Sequence, residues 1–132
     1  MKKTDDLYKK IVRAMSRAVI VLDENLWGPL EADIKDQNFR IVKPKAGQLD
    51  EDMGDLLYHR ILVTNNTKDF KENIIPWEFG IISTEKVNIT NTKNVSKLIS
   101  KAFIKHSLAS KRNGFIVTIY EDKDSKIEIA TE

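Results

Sequence analysis

The chain has 132 residues, enough for one domain with its own core, and carries 22 Lys+Arg against 20 Asp+Glu for a net charge of +2. With no cysteine it offers no disulfide, thiolate zinc site or cysteine nucleophile, and two histidines, His59 and His106, leave little room for a histidine-rich metal site. A charge so close to balance carries little information about partners, so any nucleic-acid argument rests on where the bases lie.

Residues 4–17 read as an amphipathic helix. Leu7, Ile11 and Met15 recur at every fourth position, and Lys10, Arg13 and Arg17 gather on another side. Charges in Thr4-Asp5-Asp6-Leu7-Tyr8-Lys9-Lys10 stand where a signal peptide needs an apolar core. No apolar stretch approaches the roughly 20 residues of a membrane span, so a soluble, cytoplasmic protein with no membrane partner is expected.

Ala18 to Leu22 is a continuous apolar run of β-branched character, the pattern of a parallel strand covered on both faces. After Asp23, the residues Leu26, Leu30 and Ile34 mark a crossover helix, with Pro29 tolerable only in its opening turn. Phe39 to Val42 reads as a second strand, and Lys43 to Gly47 as a basic loop broken by Pro44 and Gly47. Asp50-Glu51-Asp52 then opens a helix whose apolar positions are Met53, Leu56 and Leu57. Ile61 to Thr64 forms a third strand and Phe79 to Ile82 a fourth, giving a β-α-β-α-β order that argues a parallel sheet with right-handed crossovers.

The last third changes character. Val95, Leu98, Ile99, Ala102 and Phe103 form a helical stripe that Asn113-Gly114 is expected to end. Phe115 to Tyr120 and Lys126 to Ala130 flank the polar turn 121–125 as a terminal hairpin. No internal repeat or linker interrupts the chain.

The acids punctuate these elements. Asp23 and Glu24 follow strand one, Asn66 and Asp69 follow strand three, and Asp50 lies on the return into the second helix. In an open α/β sheet such positions share the carboxyl edge, where ligands bind. Carboxylates gathered there repel unless a cation sits between them, and all-oxygen donors suit Mg²⁺ or Mn²⁺. The same acids also suit plainer roles: Asp50 as an N-cap with Glu51 and Asp52 complementing the helix dipole, Asp23-Glu24-Asn25 as a polar turn, and Asp69 in a solvated loop.

The stretches Leu22-Asp23-Glu24-Asn25-Leu26, Leu49-Asp50-Glu51-Asp52-Met53 and Ile61-Leu62-Val63-Thr64-Asn65-Asn66-Thr67-Lys68-Asp69-Phe70, in this order, resemble the PIN-domain ribonucleases, and in particular the small PIN-like proteins. The resemblance spans about residues 18–130. It implies a single three-layer α/β domain over 18–132 with a mostly parallel central sheet and a C-terminal β-hairpin, to which the N-terminal helix over 1–17, outside the resemblance, is an extra element. It further implies a metal-dependent endoribonuclease, often the toxin of a toxin–antitoxin pair. Asp23, Asp50 and Asp69 would be the ligands of Mg²⁺ or Mn²⁺ or their water-mediated supports, and Thr64 and Asn66 the polar pair at the third strand's exit, with Glu24 and Asp52 in reserve. Many members carry Asp where this chain has Asn66, which can orient water but adds no charge. That substitution sets the alternative, a catalytically degenerate module that binds RNA or protein. A weaker alternative is a receiver-like phosphoacceptor domain using Asp23 and Thr64.

Lys43, Lys45, Lys68 and Lys71 lie on loops at the acidic edge, where they would position RNA without ligating an ion. Lys93, Lys97, Lys101 and Lys105 form one stripe on the late helix, which reads as a solvated face before it reads as a phosphate track. The N-terminal helix is expected to add RNA contacts or an interface for a second copy or an antitoxin protein. Phe70 is expected to pack under its loop, His59 to face solvent near the last carbonyls of the second helix, and His106 to be a partly buried packing residue. Trp27 is expected in the core or walling the site, and Trp77 at the surface.

Overall fold

The computed structural model describes residues 19–26, 28–45, 47–48, 52–108 and 113–130. The expected N-terminal helix, Trp27, and Asp50 with Glu51 lie outside the described residues.

Each apolar run becomes a short strand: β1 (Val19–Leu22), β2 (Arg40–Val42), β3 (Ile61–Thr64), β4 (Gly80–Ser83), β5 (Phe115–Thr118) and β6 (Lys126–Ile129). They form one sheet in the order β2-β1-β3-β4-β5-β6, parallel throughout except for the antiparallel β5–β6 pair. Every residue of β3 and β4 is buried, as the unbroken apolar runs require of strands covered on both faces. β5 forms the expected terminal hairpin with β6 and also joins β4 in parallel, so the hairpin is an integral part of the sheet.

The helices are α1 (Pro29–Lys35), α2 (Met53–Leu57), α3 (Thr67–Phe70), α4 (Ile74–Trp77) and α5 (Thr92–Lys105). Strand side chains alternate between two apolar clusters. Ile20, Leu22, Ile61, Val63, Ile82, Phe115 and Val117 point to the face covered by Leu30 and Ile34 of α1 and Val95, Ile99 and Phe103 of α5. Val21, Leu62, Ile81 and Ile116 point to the other, under Leu57, Phe70 and Ile74. Helices therefore cover both faces of a mostly parallel sheet.

Several boundaries differ from the sequence reading for identifiable reasons. The fourth strand begins at Gly80, one residue later than read, although the Phe79 carbonyl already accepts the Gly114 N–H at 2.8 Å. Gly80 lies so close to Phe115 that a Cβ there would sit 2.2 Å from the ring. Residues 67–77, read as a loop, form α3, a 3₁₀ turn at Lys71–Asn73 and α4, pieces too short to show a helical period. The late helix ends at Lys105, well before Asn113-Gly114, since Ser107 takes a left-handed backbone (φ 52°). Pro29 is the first residue of α1 as expected, with Gly28 (φ 95°) in the turn before it. Among the described residues, no helix is long and apolar enough to cross a membrane.

Candidate functional site

In this strand order β1 connects outward to β2, and the chain then returns to lay β3 on the other side of β1. The direction of winding therefore reverses between β1 and β3, and doubly wound sheets bind ligands in the crevice beyond the carboxyl ends at such a switch point. Asp23 leaves β1 and Thr64 ends β3 at that crevice. Five polar or charged side chains are buried among the described residues, and four of them, Asp23, Thr64, Ser83 and Thr84, lie at the carboxyl ends of β1, β3 and β4. Burial of polar groups is costly unless they are partnered, so their concentration at one edge marks it more clearly than the acids alone.

Asp23 is buried, 5% exposed. Its backbone N–H donates to the Val63 carbonyl (3.1 Å), which continues the β1–β3 pairing by one residue. Thr64, wholly buried, donates its hydroxyl to Asp23 Oδ2 at 2.7 Å and accepts the Asn66 backbone N–H at 3.0 Å. One hydroxyl thus fixes the carboxylate of β1 and the first turn after β3. The Asp23 backbone carbonyl accepts the Leu26 N–H (2.9 Å), closing a 3₁₀ turn at Glu24–Leu26, so the expected strand-to-helix turn forms and still leaves the carboxylate facing the crevice.

Asn66 precedes α3, but its side chain does not cap the helix. Its Nδ2 instead donates to Asp69 Oδ2 at 2.5 Å. A second carboxylate at that distance would repel Asp69, whereas the amide holds it. The residue that lacks a charge therefore has a structural task. The helix end that Asn66 leaves uncapped is served from β4's exit, where Glu85 Oε1 accepts the Thr67 backbone N–H at 3.1 Å. Glu85 was not singled out in the sequence; its signal is an acid two residues beyond a buried strand. At this edge Thr67 Oγ1 and Thr84 Oγ1 are buried with no hydrogen-bond partner among the described residues.

Asp23, Asn66 and Asp69 line a cleft of about 110 Å³, room for several waters, floored in part by Phe70. Glu24, Asn25, Pro44 and Lys45 complete much of its rim. The loop carrying Lys45 is held by its own backbone N–H, which donates to Gln48 Oε1 at 2.9 Å. Of the four loop lysines expected around the acids, Lys45 lines the cleft. Lys43 is drawn to Glu31 (3.2 Å), Lys68 stands exposed on α3, and Lys71 lines a different depression beside β6. The four lysines of the α5 stripe are all exposed, and Lys105 pairs with Asp124 at 3.5 Å.

Among the described residues, no three His, Cys, Asp or Glu side chains come together in a way that could hold a metal ion. Asp23 and Asp69 share the cleft with Glu24 at its rim, and Asp50 falls outside the described residues. The histidines stay out of the cleft. His59 follows α2 with a left-handed backbone, is exposed as expected, stacks on Tyr58 (3.9 Å between centroids) and approaches Glu78. His106 is half-buried against Ser125 Oγ (2.8 Å). Phe70 is buried under its turn, and Trp77 is exposed with its ring against Gly54. In comparisons with family models, curated proteins and solved structures, nothing matches this chain.

Proposed function

We propose that this domain hydrolyses RNA phosphodiester bonds at the β1/β3 crevice with the help of Mg²⁺ or Mn²⁺, as the PIN-like resemblance of its acidic segments implies. The observation that carries the reading is the buried Asp23 carboxylate, clamped by Thr64 and opening into a cleft that also presents Asp69 and Lys45. A strand-end carboxylate that were merely structural would be expected to use both oxygens on protein donors; among the described residues Thr64 is its one side-chain donor.

The donor set fits a hard cation. Mg²⁺ commonly takes one or two protein carboxylates and retains several waters, which suits Asp23 and Asp69 in a small polar cleft with Glu24 at its rim. Asp23 and Asp69 would hold the ion, with Asp50 the third ligand expected from sequence. When bound, the ion supplies an activated water and neutralises charge at the phosphorus. The protein's own contribution is placement. Thr64 keeps Asp23 oriented, Asn66 keeps Asp69 turned into the cleft, Glu85 secures the turn that bears both, and Lys45 attracts a phosphate to the rim. A protein antitoxin would be the natural inhibitor of such an activity.

The experiment is cleavage of single-stranded and hairpin RNA by the full chain with Mg²⁺ or Mn²⁺ and with chelator. The expected result is metal-dependent cleavage that Asp23→Asn reduces to background while the circular dichroism spectrum and the thermal melt persist. RNA binding that needs no metal and yields no products would favour the degenerate binding module.

A further inference from the structure

The outer edge of β6 carries a self-complementary charge pattern. Ala130 N–H donates to the Gly114 carbonyl at 2.8 Å across the β5–β6 pair. Bonded and non-bonded positions alternate along an antiparallel ladder, so Glu128 opposite Ile116 and Lys126 opposite Thr118 also turn their backbone groups toward β5. Ile127 and Ile129 then direct their N–H and C=O outward. Among the described residues no strand pairs with that edge. Ile129 is 58% exposed, and neither Lys126 nor Glu128 has an ion-pair partner among the described residues.

We infer that β6 is the contact surface for a second copy of this chain, joined edge to edge in antiparallel register about Ile127. This rests on the sheet edge alone and is independent of the proposed activity. In a two-fold antiparallel pair one residue must face its own copy, and the side chains decide which. Centred on Lys126 or on Glu128, the strand sets like charges directly opposite one another, which is destabilising. Centred on Ile129, it leaves Glu128 opposite Ala130. Centred on Ile127, the backbone groups that point outward exchange two hydrogen bonds, and Lys126 of each copy faces Glu128 of the other. Both charge pairs fall at non-hydrogen-bonded sites, where the facing Cα atoms approach to about 4.5 Å. On the opposite face the half-buried Ile127 meets its own copy and the exposed Ile129 comes alongside, withdrawing both further from water. The same charges that discourage indiscriminate pairing of an open edge thereby select one partner and one register.

The test is sedimentation equilibrium of the full chain and of three variants, Lys126→Glu, Glu128→Lys and the double exchange, each with a circular dichroism melt. Wild type is expected to dimerise reversibly. Each single reversal replaces two attractive pairs by two repulsive ones and should weaken association by on the order of tenfold or more. The double exchange restores both pairs and should return the wild-type affinity. Mixing the two single variants should give heterodimers, because the all-acidic edge of one meets the all-basic edge of the other; that recovery also shows both variants to be folded. A wild type that stays monomeric at all attainable concentrations overturns the inference. So does a dimer that the single reversals leave intact, or a double exchange that fails to restore association.

Discussion

Replacing Thr64 by Val keeps the shape of a wholly buried side chain and removes two hydrogen bonds at once. The first, to Asp23 Oδ2 at 2.7 Å, has an ionised acceptor, and such bonds contribute about 1.5–3 kcal/mol. The second, from the Asn66 N–H at 3.0 Å, is neutral and contributes about 1 kcal/mol. The added methyl group gains up to about 0.8 kcal/mol from burial, so the net cost is about 2–3 kcal/mol. Urea denaturation of wild type, Thr64→Val, Asp23→Asn and the double variant measures this and isolates the pair. A coupling energy of about 1.5 kcal/mol or more is expected between positions 64 and 23, because either single change already disrupts the charged contact. RNA cleavage by Thr64→Val should fall with it, since the carboxylate loses its fixed orientation. The reasoning is refuted if Thr64→Val costs less than about 0.5 kcal/mol, or if the two substitutions are additive within about 0.3 kcal/mol.

Three further outcomes follow from particular contacts. Gly80→Ala drives a Cβ to within 2.2 Å of a fully buried Phe115 ring, and should destabilise by about 1–3 kcal/mol in thermal or urea melts, with Phe115→Leu relieving part of the cost. Asn66→Asp exchanges the amide that holds Asp69 for a second carboxylate; it should lower stability in chelator by on the order of 1 kcal/mol and steepen the stabilisation by Mg²⁺, which melts with and without the ion would read. Glu31 is hydrogen-bonded to Lys35 and also drawn to Lys43, and these outweigh the opposing effect of burial to hold its carboxyl below the ordinary 4.5. A depressed carboxylate stabilises the fold above its unfolded value, and that stabilisation disappears as pH falls through the folded one. Glu31→Gln should therefore cost about 0.5 kcal/mol at neutral pH, screened by salt, and nothing well below pH 4.5.

The strands were legible in the sequence because a strand buried on both faces leaves an unbroken apolar run, and Val19–Leu22 and Ile61–Thr64 are such runs. The stripe of α5 was legible for the same kind of reason, through its period. Residues 67–77 were not, since α3, the 3₁₀ turn and α4 each complete about one turn and owe their helicity to packing of Phe70 and Ile74 against the sheet. Asp23, Asn66 and Asp69 could be chosen from the order of acids after strands. Glu85 could not, because its role depends on β4 lying beside β3.

By itself, then, the sequence determined the alternation of strand and helix, the double-faced burial of the central strands and the set of acids that follow them, all of which depend on near neighbours in the chain. Tertiary structure alone decided the strand order, and with it the reversal between β1 and β3 that opens the cleft at Asp23. It also decided that Asn66 binds Asp69, that Lys45 reaches the cleft while Lys71 does not, and that β6 is an open edge among the described residues. These are contacts between segments far apart in the chain, set by which faces pack together, and no local pattern of residues encodes them.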